Sequence, residues 1–194
     1  MALILASAST IRGQMLEAAG VEFEVRPAEL DEAAIKAAHR GDQAELAIGL
    51  ASAKALAVSA LRPGDWVIGS DSLITIGGRS FDKPRDRSAA VEHLRLFSGQ
   101  PMVLTSAVAL AWDGGVDFSH VQIATLHVRT LSDAFIESYL DIEWPEVAHC
   151  VGVFRMEGRG VQLFERVEGD HFTILGMPLL PLLGALRVRG LIAA

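Results

Sequence analysis

The sequence predicts an α/β protein with a central mixed, twisted sheet flanked by helices. Short apolar runs of strand length, such as Leu3 to Ala6 and Trp66 to Ile68, alternate with segments of helical periodicity, such as Gln43 to Leu61. Two long apolar segments, Met102 to Trp112 and Val116 to Arg129, are separated by an Asp-Gly-Gly turn, which predicts a long antiparallel hairpin. Helix-linked strands and a hairpin in one chain are typical of a mixed sheet.

The composition favours one folded domain over residues 1–194, in which hydrophobic residues make up 51%. The net charge is −7 and the chain has no cluster of Lys and Arg, which argues against a nucleic-acid polymer as partner. A nucleotide remains compatible, because a few cations suffice to bind one triphosphate. No apolar run reaches the ~20 residues of a membrane span, so we expect no membrane partner.

The chain has a single cysteine, Cys150, and cannot form an internal disulfide, which favours the cytoplasm. We interpret Cys150 as a small core residue rather than a nucleophile. The N-terminal segment lacks the basic leader of a signal peptide, and we expect it to form the first buried strand.

The first strand and helix predict an anion site. The small polar residues Ser7 to Thr10 join the strand to a helix that begins near Ile11 and ends at Gly20. Backbone N–H groups at the start of a helix bind anions, and the helix dipole strengthens the attraction. Arg12 lies in the first turn, where a cation opposes that dipole, so it is either a ligand-binding residue or an ordinary exposed arginine.

The next elements carry isolated charges. A short strand from Glu22 to Val25 precedes Asp31 and Glu32, and adjacent carboxylates of this kind usually start a solvated helix, although one can also bind a metal. Lys54 is the only cation in the long helix, and it either extends to water or points into a site.

The stretch from Val67 to Ser72 predicts a carboxylate at the edge of the sheet. Its apolar run ends at Gly69, and Asp71 follows, where the ligand cleft of an open α/β sheet is expected. The Gly77-Gly78 turn lets the chain double back, so that Lys83, twelve residues after Asp71, can meet it. An acid beside a base indicates a metal and a phosphate together, whereas the plain alternative is a surface acid and a solvated lysine.

The rest of the chain continues the alternation of helices and strands. We expect helices over Ser88 to Phe97 and from Ser132 to Leu140, strands over Val151 to Phe154 and Val161 to Val167, and a glycine-flanked loop over Glu157 to Gly160. The segment Ile174 to Leu179 is expected to lead into a last helix that ends near Arg189.

Several separated segments stand in the order and spacing of one family's motifs. They are Leu5-Ala6-Ser7 with Ser9 and Arg12, Val67 to Asp71 with Lys83-Pro84, Ser98-Gly99, and Leu175 to Leu179. Together they span about Leu3 to Leu182 and resemble the signature segments of the Maf family of nucleoside triphosphate pyrophosphatases.

The resemblance implies a Maf/ITPase-like fold, a nucleotide substrate and a homodimer. The implied reaction is attack by water on the α-phosphorus of a nucleoside triphosphate, which releases the monophosphate and pyrophosphate. The implied catalytic residues are Asp71, as proton acceptor, Lys83 and Glu32, and the implied phosphate-binding residues are Ser9, Arg12 and Lys54. Asp71 and Glu32 would also bind a divalent cation, Mg²⁺ or Mn²⁺, since carboxylates suit hard cations.

The segment around Glu157 bears on the base. Residues 154–160 resemble the family branch that acts on 7-methyl-GTP, whereas the pyrimidine branch has Tyr-Gly-Ile-Gln-Gly here. A guanine edge presents two donors, which the acceptor-only carboxylate of Glu157 can accept, while a uracil or thymine edge suits a Gln amide. Two other positions implied in specificity depart from this branch: Ile11 replaces a Trp that would stack on a methylated base, and Ser72 replaces a Gln.

Three functions are therefore open from the sequence. A 7-methyl-GTP pyrophosphatase leads, and a dTTP/UTP pyrophosphatase is the alternative within the same enzyme class. A weakly active nucleotide-binding regulator of cell division is the alternative from another class.

Overall fold

A computed structural model, which describes residues 1–193, contains a seven-stranded sheet with the order β2-β1-β3-β5-β6-β7 and with β4 paired to β3. The strands are β1 (Leu3–Leu5), β2 (Glu24–Val25), β3 (Trp66–Ile76), β4 (Arg79–Phe81), β5 (Pro101–Trp112), β6 (Gly115–Val128) and β7 (Phe164–Glu168). The helices are α1 (Thr10–Ala18), α2 (Glu32–Ala38), α3 (Gln43–Ser59), α4 (Arg87–Phe97), α5 (Asp133–Glu143), α6 (His171–Ile174) and α7 (Leu179–Val188). Short 3-10 helices span Glu146–His149 and Arg159–Leu163.

The sheet is mixed, as the sequence predicted. Strand β1 runs parallel to β2 and β3, whereas β4 runs antiparallel to β3 and β7 runs antiparallel to β6. Strands β5 and β6 are neighbours joined by a tight turn at Asp113 and Gly114, and so short a connection makes them an antiparallel hairpin. The predicted α/β fold class is therefore confirmed.

The chain divides into two compact units. The first comprises Met1–Ser72, Thr105–Gln122 and the chain from His171 onward, and the second comprises Leu73–Leu104 and Ile123–Asp170. That residues 1–194 form a single domain stays a prediction.

The first unit is built around one apolar cluster, in which β1, β3 and β5 pack against α1 and α7. The buried residues of this cluster are Leu3, Leu5, Met15, Leu16, Val21, Ile68, Val108, Leu110, Met177, Leu179, Leu182 and Leu186. Burying a Leu or Met side chain contributes roughly 2 kcal/mol, so this cluster fixes β1 and α1 firmly beside β3.

Helix α3 approaches β3 unusually closely at Gly69. A Cβ atom at Gly69 would lie 2.1 Å from the Ala51 carbonyl oxygen and 2.6 Å from the Ala55 nitrogen. Asp42 and Glu45 form a capping box at the start of α3, which fixes where the helix begins. Residues three apart share a helix face, so Lys54 lies on the side of α3 that Ala51 presents to β3.

The second unit contains α4 and α5, which are joined by ion pairs. Arg87 of α4 pairs with Glu137 and Asp141 of α5, and Arg95 pairs with Asp133.

The predicted turn between β3 and β4 is confirmed, since Gly77 and Gly78 have φ values of 56° and 79°, in the region that glycine favours.

Two predicted strands are corrected. Residues Val151–Phe154 form turns rather than a strand, because the Val153 N–H donates to the Cys150 carbonyl (3.1 Å) and Val153 has a φ of 55°. The strand expected from Val161 begins only at Phe164, since Arg159–Leu163 is a 3-10 helix.

Among the helices of residues 1–193, none combines the length and the hydropathy that crossing a lipid bilayer requires.

Gly69→Ala is expected to lower the free energy of unfolding by about 3 kcal/mol, because the added methyl group overlaps backbone atoms of α3 that cannot move aside. Urea denaturation measures the change. The control is Gly49→Ala in α3, where nothing lies within 4 Å of the added Cβ. This control should gain about 1 kcal/mol from helix propensity, and equal stability of the two variants would contradict the close contact.

Candidate active site

Asp71 is a buried carboxylate in the middle of a strand. Its residue is 7% exposed and lies three positions beyond Ile68, the last β3 residue paired with β1. We expected it to follow the end of the strand, but β3 continues to Ile76. Asp71 nevertheless lies beyond the end of a strand, namely the neighbouring β1. Strand β1 ends at Leu5, which pairs with Ile68, so Asp71 has no partner residue in β1.

Lys54 bridges two carboxylates. Its Nζ lies 2.5 Å from Asp71 Oδ1 and 2.8 Å from Glu32 Oε1. The lysine side chain is only 12% exposed, so Lys54 points into a site and does not extend to water. A buried carboxylate needs a charged partner, and one ammonium here serves Asp71 and the more exposed Glu32 together.

Glu32 joins this group from the start of α2. Asp31 caps that helix by accepting from the Ala34 N–H (2.9 Å), so the two adjacent acids have separate tasks. The pair thus starts a helix and also supplies one carboxylate that is paired with Lys54, whereas the predicted catalytic and metal-binding roles of Glu32 stay predictions.

Arg12 is bound within the first unit by four hydrogen bonds. Its Nε donates to the Gly176 carbonyl (2.9 Å) and its Nη1 donates to the Ser70 carbonyl (3.0 Å). Its Nη1 also donates to Ser7 Oγ (3.2 Å) and its Nη2 to Ser72 Oγ (3.1 Å). The guanidinium therefore ties α1 to Ser70 and Ser72, the two residues of β3 that flank Asp71.

The charge of Arg12 also belongs to the same site. Burial lowers the pKa of the guanidinium from its ordinary value, whereas the negative charges of Asp71 and Glu32 raise it. Arg12 is thus not an ordinary exposed arginine, which was the alternative left open. Its role in binding phosphate stays a prediction.

The sequence interpretation did not foresee the hydrogen bonds that complete this network, and it gave no role to Ser106. The Gly176 carbonyl also accepts from Ser70 Oγ (3.1 Å) and Ser72 Oγ (3.0 Å), and Ser106 Oγ lies 2.9 Å from Ser72 Oγ. Gly176 has a φ of 103°, a conformation that favours glycine. One signal was available, because the polar pair Thr105-Ser106 interrupts the apolar run of β5.

Ser9 and the two specificity candidates of this unit lie near the same elements. Ser9 is the N-cap residue of α1, and its N–H donates to Ser7 Oγ (3.2 Å). Ile11 is half-buried in the first turn of α1, while the Ser72 hydroxyl is engaged with Arg12 and Gly176. Their predicted roles toward a substrate stay predictions.

Lys83 and Cys150 belong to the second unit. Lys83 is exposed, two residues after β4, and its meeting with Asp71 stays a prediction. Burial raises the pKa of the Cys150 thiol to about 11, although the charge of Lys83 opposes the shift. A protonated thiol is a poor nucleophile, which supports the interpretation of Cys150 as a packing residue.

Glu157, the predicted base reader, is exposed in a tight turn of the second unit. The Gly158 N–H donates to the Arg155 carbonyl (3.1 Å), which closes a four-residue turn with Glu157 at its third position.

The protein is thus of the class that combines a mixed α/β sheet with a charged interior site. In this site Lys54 bridges Asp71 and Glu32, and Arg12 lies within electrostatic reach of both acids. Residues 2–189 match the Maf-like protein family, and the chain belongs to that family.

Named relatives match almost the whole chain. A nucleoside triphosphate pyrophosphatase of Nitrobacter hamburgensis is 47% identical over 192 residues, which are 98% of this chain and 95% of the relative. A 7-methyl-GTP pyrophosphatase of Rhizobium etli is 47% identical over 193 residues, which are 98% and 97% of the two chains. Among solved structures, a dITP/XTP pyrophosphatase of Mycobacterium abscessus has a TM-score of 0.38 at 15% identity, over 68% of this chain and 76% of that chain, which is too distant to support a conclusion.

Arg12→Lys is expected to lower the free energy of unfolding by about 3 kcal/mol. A lysine keeps the charge but lacks the planar fork, so several of the four hydrogen bonds of Arg12 are lost at about 1 kcal/mol each. Urea denaturation measures the loss. The control is Arg26→Lys at an exposed position, which should change stability by less than about 0.5 kcal/mol. Similar unfolding midpoints for both variants would show that the Arg12 network does not stabilise the protein.

Proposed function

We propose that this protein hydrolyses 7-methyl-GTP at the α–β phosphoanhydride and releases the monophosphate and pyrophosphate. The protein is a nucleoside triphosphate pyrophosphatase, the class for which relatives sharing 47% identity over nearly its whole length are named. The observation that carries the proposal is the group formed by Glu32, Lys54 and Asp71, which combines an acceptor for a proton with a cation for a phosphate.

Asp71 is proposed as the proton acceptor for the attacking water. A carboxylate accepts hydrogen bonds only, so Asp71 can orient a water through its lone pairs and take the proton as the phosphorus–oxygen bond forms. Lys54 holds one carboxylate oxygen at 2.5 Å, which fixes the direction of the acid.

The cations are proposed to bind the triphosphate. Lys54 and Arg12 contribute positive charge beside Asp71, and Ser9 contributes the polar start of α1. Lys83, which the family resemblance implies as a catalytic residue, is proposed to neutralise charge on the leaving pyrophosphate. Charge-assisted hydrogen bonds from such groups favour the transition state when negative charge grows on the leaving oxygen.

A divalent cation, Mg²⁺ or Mn²⁺, is proposed as cofactor, with Glu32 and Asp71 as its protein ligands. Within residues 1–193 no cluster of three or more His, Cys, Asp or Glu side chains forms a dedicated metal cage. Two carboxylates fit Mg²⁺ nonetheless, because this ion is commonly bound by one or two carboxylates plus substrate phosphates. When bound, it would neutralise charge on the phosphate oxygens.

The choice of 7-methyl-GTP rests on Glu157 and on the relatives. Relatives from Rhizobium etli and Rhizobium meliloti, at 47% and 46% identity, are named 7-methyl-GTP pyrophosphatases. The exposed carboxylate of Glu157 suits the two N–H donors of a guanine edge. Ile11 supplies apolar contact rather than aromatic stacking. A cytoplasmic location and a homodimer stay predictions.

Pyrophosphate release with Mg²⁺ or Mn²⁺ across 7-methyl-GTP, GTP, dTTP, UTP, CTP and ATP is expected to be fastest for 7-methyl-GTP, since its base edge matches Glu157. Values of kcat/KM for each nucleotide measure the preference, and Glu157→Gln should shift it toward UTP and dTTP. Preference of the unmodified protein for UTP or dTTP would contradict the assignment of Glu157 and leave the enzyme class intact. No turnover of any nucleotide would contradict the enzymatic proposal and favour a binding regulator.

A further inference from the structure

Glu143 is a buried carboxylate in the second unit, remote in sequence from the proposed catalytic acids. It is the last residue of α5 and is 3% exposed. Its Oε2 accepts from Arg155 Nε (3.1 Å) and Arg155 Nη2 (2.9 Å), and its Oε1 accepts from the Arg159 N–H (3.3 Å). Both oxygens of one carboxylate are therefore bound to residues on the two sides of Glu157.

Stability alone does not favour an acid at this position. A negative charge at the C-terminal end of a helix opposes the helix dipole, and removing a carboxylate from water is unfavourable unless it is paired. Buried ion pairs are often no more stabilising than apolar side chains of similar volume. The contacts of Glu143 point instead to a role in holding the segment that it binds.

That segment is the tight turn that carries Glu157. The turn is closed by the Gly158 N–H, which donates to the Arg155 carbonyl (3.1 Å). The backbone of Gly160 also packs closely against the backbone of Arg155, the first residue of the turn. A Cβ at Gly160 would lie 2.5 Å from the Arg155 carbonyl oxygen and 2.6 Å from the Arg155 nitrogen. With its first residue and the residue after it both bound to Glu143, the turn presents Glu157 to solvent in a fixed direction.

Glu143 also decides which carboxylate Arg155 binds. The hydrogen bonds with Glu143 raise the pKa of Arg155 most, and the negative charge of Glu157 raises it further, so both acids lie within electrostatic reach of the guanidinium. The guanidinium donates two hydrogen bonds to Glu143. A guanidinium paired with Glu157 would occupy the acceptors that a base edge requires.

We propose that Glu143 is a positioning residue for base recognition, which holds Arg155 and Arg159 so that the carboxylate of Glu157 stays oriented and available. The inference rests on the proposed role of Glu157 as the acceptor for a base edge that presents two N–H donors. Glu143 acts through Glu157 and has no part in the chemistry at the phosphate.

Glu143→Gln in the full-length protein is expected to lower the ratio of kcat/KM for 7-methyl-GTP to that for UTP by about tenfold, since the amide loses the charge and one acceptor. The loss should appear mainly as a higher KM for 7-methyl-GTP, with kcat little changed. Arg155→Lys, which keeps the charge but not the fork, should lower the ratio by a smaller factor. The matched control is Glu137→Gln on the same helix, where the acid pairs with Arg87 at the surface, and this variant should leave the ratio unchanged.

A double variant separates positioning from general loss of structure. In a Glu157→Gln background, the further change Glu143→Gln should leave the ratio unchanged, because the residue through which it acts is already altered. Thermal unfolding identifies variants that do not fold, and Arg155→Lys decides the question if Glu143→Gln is one of them. A preference for 7-methyl-GTP that survives in folded variants overturns this inference alone. A wild-type enzyme that hydrolyses nucleotides without that preference overturns the proposed substrate and this inference with it.

Discussion

The site depends on a single ammonium placed between two carboxylates. Lys54 comes from α3, Asp71 from β3 and Glu32 from α2, and the three meet because α3 lies against β3 at Gly69 without an intervening side chain. A charge of either sign alone in this position would be strongly unfavourable, whereas the bridged group is mutually compensated. The same contact that makes the buried charges tolerable also puts the proposed proton acceptor, Asp71, beside the cation proposed to bind phosphate, Lys54.

A second layer of polar groups supports the strand that carries Asp71. Arg12 binds the Ser70 carbonyl and the Ser72 hydroxyl, and the Gly176 carbonyl receives hydrogen bonds from all three residues. Side chains fixed in this way present reactive groups in one geometry and need little rearrangement during a reaction. The protein as a whole is acidic, with a net charge of −7, so the proposed binding of a triphosphate rests on these few interior cations.

Local patterns predicted much of this arrangement, and long-range contacts account for what they missed. Apolar periodicity located α3 and β3, and the lone Lys54 and the acid after Gly69 were recognisable as unusual in their surroundings. No local pattern encodes contacts between residues that are distant in sequence. Such contacts include the ion pair of Glu32 with Lys54, the hydrogen bonds to the Gly176 carbonyl, and those of Glu143 with Arg155 and Arg159. The prediction of a strand over residues 151–154 was wrong because Val153 adopts a positive φ. β-Branched residues rarely adopt this conformation, so nothing in the sequence indicated it.

The most direct test of the account is the change Asp71→Asn, followed by two measurements on the same protein. Asparagine keeps the shape of the side chain and Lys54 retains Glu32 as a partner, so the variant should fold. The account predicts that pyrophosphate release from 7-methyl-GTP falls by roughly 10²-fold or more, because the proton acceptor is lost. It also predicts that the nucleotide still raises the melting temperature, because the cations remain. Turnover within tenfold of the unmodified protein would contradict the assignment of Asp71 as the catalytic base.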